Sequence, residues 1–431
     1  MKKKMVSVLL CVAMTATMLA GCGGKSDGGS KGDSDGDKKL VYWSMWSKDE
    51  PQAKVIEEAI EKYEKDTGVT VDVQFKGRTG QREGLEPALQ AKQQIDLFDE
   101  DINRVNGSWG SYLMDLEDLA KDYEAEYGQE VLFKVARNAG GGTLKTIPYQ
   151  PSIFGFFYNK ALFKQAGIEA APTTWEEFDA VCAKLKEAGI TPITGDVTYQ
   201  TSTLGYHIAR YLGQDGVKAL VNDPKAEDPD AVNWDNEKVL KALKDYEDFA
   251  KKGYFSENIA GNVWPDGQNK EFAPGEAGII ICGSWLPNEI KNMVAEDFEW
   301  GYFNYPSVDG GKDDNTVNNI ACQTFGINKD SKMSKEAMEL IKYITTGEFD
   351  KQMTQEALCI PADKTNSEWP EQLADVQPGF SATTSFYDWA VGAENNGDLT
   401  APMQEGFVKL MAGQMTAEEL IDECAKICGE K

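Results

Sequence analysis

Between Leu40 and Phe98 the spacing of apolar residues switches repeatedly between two periods, and that switching restricts the chain to an α/β architecture. Leu40-Val41-Tyr42-Trp43 reads as a strand that passes into a loop at Ser44-Met45-Trp46. Pro51 opens a helix whose Val55, Ile56, Ala59, Ile60 and Tyr63 share one face, and Gly68 stops it. Val69, Val71, Val73 and Phe75 then alternate, as in a strand. Residues 84–94 return to helical spacing, and Ile95-Asp96-Leu97-Phe98 is a second short strand. Strand–helix–strand order predicts a parallel sheet, because a parallel neighbour needs a crossover long enough to hold a helix.

The pattern returns further along. Thr174 and Glu177 form a capping box ahead of Phe178, Val181 and Leu185, with a stop at Gly189. Gly278-Ile279-Ile280-Ile281-Cys282 is an unbroken apolar run, suited to a strand covered on both faces. Phe325-Gly326-Ile327 reads as a short strand, and Ala337, Met338, Leu340, Ile341 and Ile344 mark a helix. Thr416 and Glu419 cap the last helix. A chain of 431 residues is too long for one typical core, so two domains are expected.

Ahead of residue 40 the sequence reads as an address. Met1-Lys2-Lys3-Lys4 is basic, and Val6 to Leu19 is apolar but too short to span a membrane. Leu19-Ala20-Gly21-Cys22 resembles the bacterial lipobox, which implies a signal peptide over 1–21 and a fatty-acylated (palmitate) Cys22 as the new N-terminus. An ordinary cleaved signal is the alternative. Residues 23–39 are Gly, Ser, Asp and Lys, which cannot bury apolar surface and read as a tether. Asp33 to Asp37 lacks the glycine and glutamate of a calcium loop and belongs to that tether. The expected location is the outer face of the cell membrane, held by lipid.

Composition removes several classes of function. The chain carries 71 acidic against 44 basic residues, a net charge of −27, which argues against nucleic acid as a partner. A single histidine excludes a zinc site built on several imidazoles. That residue, His207, has no nucleophile elbow beside it and reads as structural. No metal or other cofactor is expected. Cys182, Cys282, Cys322, Cys359, Cys424 and Cys428 show no disulfide spacing and read as buried thiols.

Several stretches together carry a family resemblance: "KLVYWSMW" with "TGVTVDVQF", "IDLFDED", "IPYQPSIFGFFYNKALFKQAGIEAAPTTWEEF", "FAPGEAGIIICGSWL" and "FGINKDSKMSKEAMELIKYI". The chain resembles the extracellular solute-binding proteins of sugar ABC transporters, the group that includes maltose-binding protein. It departs at Ile95, where the family usually has proline, and in the basic, glycine-rich residues 76–84. The resemblance implies a two-lobed periplasmic-binding-protein-like α/β fold whose hinge the chain crosses several times. Lobe one would take 40–149 and 306–355; lobe two would take 150–305 and 356–431. It implies a monomeric, non-enzymatic receptor that captures a carbohydrate, expected to be an oligosaccharide, by lobe closure and delivers it to a permease.

Ligands of open α/β sheets sit beyond the carboxyl ends of strands. A sugar offers apolar C–H faces and a rim of hydroxyls, which aromatic rings and carboxylates or amides match. Trp46 and Trp285 are therefore the candidate stacking platforms, with Asp99, Glu100, Asp101 and Gln150 as hydrogen-bonding candidates. Trp285 occupies the family's Gly-x-Trp position. Trp264 and Trp389 are further aromatic candidates. Each has a plainer reading: core packing for Trp46, helix capping for Asp99 and Asp101, inter-lobe packing for Trp285. Arg78 and Arg82 read as solvated and Trp175 as structural. A cell-surface glycoside hydrolase remains open, since acidic residues abound, as does a receptor for a non-sugar solute.

Overall fold

The computed structural model describes residues 39–197, 200–222, 233–388 and 397–429. Cys22, the tether and Trp389 lie outside the described residues. The strands are β1 Lys39–Ser44, β2 Thr70–Phe75, β3 Leu97–Asp101, β4 Thr146–Asn159, β5 Thr191–Thr194, β6 Ala277–Gly283, β7 Trp300–Asn304, β8 Val317–Ile327 and β9 Ser385–Tyr387. They pair in the order β2-β1-β3-β8-β4-β6-β5, with β7 also on β4 and β9 on β8.

Local chemistry set several of these elements as expected. The first helix, Pro51–Thr67, has proline in its first turn and ends where Gly68, at φ 74°, turns its N–H back to the Glu64 carbonyl. Both capping boxes form, Thr174 with Glu177 and Thr416 with Glu419. β6 is buried along its whole length. Ile279 and Ile281 enter one core, Ile280 and Cys282 the other, so both faces are covered.

The sheet is mixed where sequence spacing predicted a parallel one. β1 runs parallel to β2 and β3, and β5 to β6. β4 and β8, however, are antiparallel to each other, and β4 also to β6 and β7. Two long strands carry these antiparallel pairings. β8 extends over Val317–Ile327, and β4 runs for 14 residues through both halves of the strand order. Thr146 to Ile153 pair with β8, whereas Phe154 to Asn159 pair with β6 or β7. β3 also starts and ends later than predicted, which puts Asp99 and Glu100 inside the strand.

Two large cores flank this path. One gathers Tyr42, Ile56, Leu97, Ile147, Phe325 and Ile341; the other gathers Phe156, Phe178, Tyr246, Ile279 and Leu420. A smaller one holds Trp43, Leu85, Phe98 and Trp109. Arg210, fully buried, ties the connection between β7 and β8 by donating to the carbonyls of Tyr305, Pro306 and Val317. The six cysteines named above are buried thiols outside any disulfide.

Candidate ligand-binding site

The parallel pairing of β1 with β3 brings their carboxyl ends side by side, and a carboxylate organises the junction. Asp99, with no exposed surface, accepts hydrogen bonds from the Tyr42 hydroxyl (2.9 Å), the Met45 N–H (3.3 Å) and the Tyr149 hydroxyl (2.6 Å). The Trp46 indole N–H donates to Tyr149 (2.8 Å), so tryptophan, tyrosine and aspartate form one chain. Burial pushes the Asp99 carboxyl up to about 6, and the bonds from Tyr149, Ser44 and Tyr42 restrain it from rising further. Trp46 is 3% exposed, with the Arg78 guanidinium 4.8 Å from its ring centroid.

The neighbouring acids are also engaged. Glu100 is buried and holds Arg82 by two bonds, 2.8 and 3.2 Å. Asp101 caps the helix Ile102–Trp109, accepting from the N–H groups of Asn103 and Arg104. Gln150 stands at a bulge in β4 with φ 44°, and its Oε1 is buried without a hydrogen-bond partner. Gln323, opposite Tyr149, has a similarly unpartnered Oε1.

A second group forms where β5 and β6 end. Trp285 follows β6, and its indole lies directly over Gly283, where a Cβ would sit 1.9 Å from the ring. Only glycine fits there. Trp285 is partly buried and touches both large cores. One turn later Glu289 accepts from the Trp264 indole N–H (3.0 Å) and from the Asn269 side-chain amide. Burial raises the Glu289 carboxyl, those two bonds oppose the rise, and the charges of Asp196 and Asp266 add to it. Trp264 is 41% exposed. In the helix Asp266–Phe272, Glu271 accepts from Ser256, Asn258 and Asn262.

Of the sequence candidates, Trp264 is bonded to Glu289, on the helix that Trp285 opens, while Trp46 and Asp99 meet around Tyr149. Glu289, Asn269 and Asp196 were not anticipated. Glu289 had a faint signal, four residues after Trp285 at helical spacing; Asp196 stands two residues past the end of β5. His207 sits in the core with Nε2 2.8 Å from Asp245, and burial holds its pKa below the ordinary value. Among the described residues no three His, Cys, Asp or Glu side chains are placed to hold a metal ion.

Helix-covered sheets joined through shared long strands, with aromatic and carboxylate groups at strand ends, define a solute-binding architecture. The family model for bacterial extracellular solute-binding proteins matches residues 47–348, and the chain belongs to that family. The Multiple sugar-binding protein of Streptococcus mutans is 27% identical over 203 residues, 47% of this chain and 47% of that protein. The sn-glycerol-3-phosphate-binding periplasmic protein of Yersinia pseudotuberculosis is 23% identical over 299 residues, 66% of each. The chain spans about half the length of several curated relatives it matches. Among solved structures, a chitin oligosaccharide binding protein superimposes with a TM-score of 0.70 at 23% identity, over 92% of this chain and 99% of that one.

Proposed function

We propose that this chain is the receptor of an ABC transporter for a carbohydrate, expected to be an oligosaccharide. Two lobes joined through β4 and β8 close on the ligand, and the closed form is delivered to the permease. The observation that carries the reading is the exposed Trp264 indole bonded to Glu289, on the short helix that Trp285 opens after β6. Aromatic faces for sugar C–H groups thereby stand beside a carboxylate for hydroxyls. The names of the sugar-binding relatives support the same class. Closure follows if the ligand contacts both lobes, because only differential affinity for the closed state shifts the equilibrium.

A thermal-shift screen against mono- and oligosaccharides, with glycerol 3-phosphate in the same panel, tests the proposal. A ligand bound only by the folded state raises the melting temperature. A shift with glycerol 3-phosphate and with no sugar would refute it. The receptor is proposed to act without catalysis, so a bound oligosaccharide should be recovered intact; shortened products would identify a hydrolase. Cys22 is proposed as the lipid anchor, and Cys22→Ala should release the protein from the membrane fraction. Persistent lipid labelling of that variant would refute the anchor. Among the described residues no helix is long and apolar enough to cross a membrane.

A further inference from the structure

Glu100, in β3, and Glu289, in the helix Leu286–Ile290, are both drawn in from solvent, but of the two only Glu100 has a counter-ion. Arg82 holds Glu100 by two bonds. Both donors to Glu289, the Trp264 indole and the Asn269 amide, are neutral. Among the described residues no lysine or arginine pairs with Glu289, and the nearby Asp196 and Asp266 disfavour its charge. Asn269 is 2% exposed and is fixed by its own bond to Glu289, yet its Oδ1 is buried without a donor. Gln268, preceding it, is wholly buried with neither amide atom hydrogen-bonded. Beside them the Trp264 ring is 41% exposed.

Glu289, partly exposed, thus presents acceptors with the buried, donorless Asn269 Oδ1 next to it, and the two donors facing that carboxylate are already used. We infer that Trp264, Glu289 and Asn269 form a subsite for a protonated primary amine carried on a sugar ring, so that the ligand is an amino sugar or an oligomer of one. The inference rests on the carbohydrate reading above. An ammonium group has three donors and no acceptor, which suits this set better than a hydroxyl, whose own lone pairs would face the carboxylate. Its charge offsets that of Glu289, and an indole face attracts cations. N-acetylation abolishes both advantages, since it removes the charge and adds a carbonyl acceptor.

The test is calorimetric titration of the full chain with four probes: a β-linked glucosamine oligomer, its fully N-acetylated form, the glucose oligomer of equal length, and spermidine. The glucosamine oligomer should bind at least about tenfold tighter than the other two oligomers, and Glu289→Gln should erase that preference. Selectivity is read on the unmodified protein, so it stands even if the variant melts early. Equal or tighter binding of the glucose or N-acetylated oligomer overturns the amine subsite and leaves the carbohydrate reading intact. Binding of spermidine alone overturns both. Failure of the glucosamine oligomer to bind overturns the inference.

Discussion

The strand ends of β1 and β3 and those of β5 and β6 use the same residue types to opposite effect. At the first, every carboxylate is occupied: Asp99 by two tyrosines and a backbone N–H, Glu100 by Arg82, Asp101 by the helix it caps. Trp46 is sealed in and bonded to Tyr149. At the second, Glu289 has neutral donors only and Trp264 stands open; unmet amide atoms occur at both, at Gln150 and Gln323 in the first and at Gln268 and Asn269 in the second. A carboxylate held by an ion pair or by several internal donors holds shape; one that has neutral donors only and keeps exposed surface can still take a ligand. Residue type alone does not separate the two, and the difference lies in what each side chain already touches.

That contrast is breakable by mutation, and the largest effect should come from the sealed side. Trp46→Ala removes a buried indole and its bond to Tyr149, so it should destabilise the ligand-free protein by about 3–5 kcal/mol in denaturant melts. A loss below about 1 kcal/mol would mean that Trp46 is not a packing residue.

Next in size is the pH dependence of stability set by Asp99. Its carboxyl is raised in the folded state from 3.8 to about 6, so the native protein binds the proton more tightly than the unfolded chain. The resulting contribution is full below about pH 4 and is lost as pH rises through 6, a decline of about 3 kcal/mol at most. Asp350, raised to about 7 chiefly by burial, acts in the same direction over a wider window. Asp99→Asn should flatten the decline between pH 4 and 6 and leave the Asp350 portion. An unchanged slope would contradict the buried, protonatable Asp99. The smallest effect serves as a control distant from both regions: Thr416→Ala removes one capping box and should destabilise by about 1 kcal/mol without altering ligand affinity. A change in affinity there would show that the two regions are not where binding is decided.

What the sequence made legible was local. Pro51 and Gly68, Thr174 with Glu177, and the apolar run 278–282 each act within a few residues, so their helices and strand could be read before any tertiary contact was known. The mixed sheet was hidden because β4 and β8 pair across more than 160 positions of sequence. Strand propensity says nothing about such partners. Trp285 was readable as a candidate because it follows an apolar strand run, whereas Trp264 was offered on residue type alone, since no strand end adjoins it. Glu289 and Asn269 were not readable, since their meeting depends on the helix Asp266–Phe272 packing on β5 and β6. Asp99 and Asp101 had two readings in sequence, ligand contact and helix capping. For Asp101 the capping bonds are present, and for Asp99 three internal donors are.

The proposal that sugar is held at the end of β6 is tested most directly by calorimetric titration of the unmodified protein, Trp285→Phe and Trp285→Ala with the oligosaccharide that gives the largest thermal shift. Ligand-free melting curves should be run alongside. If the indole is a stacking anchor, the alanine variant loses about 2 kcal/mol or more, roughly thirtyfold in affinity, and phenylalanine distinctly less. If Trp285→Ala lowers the melting temperature yet binds within about threefold of the unmodified protein, Trp285 is packing between the two cores, and the sugar is not held there.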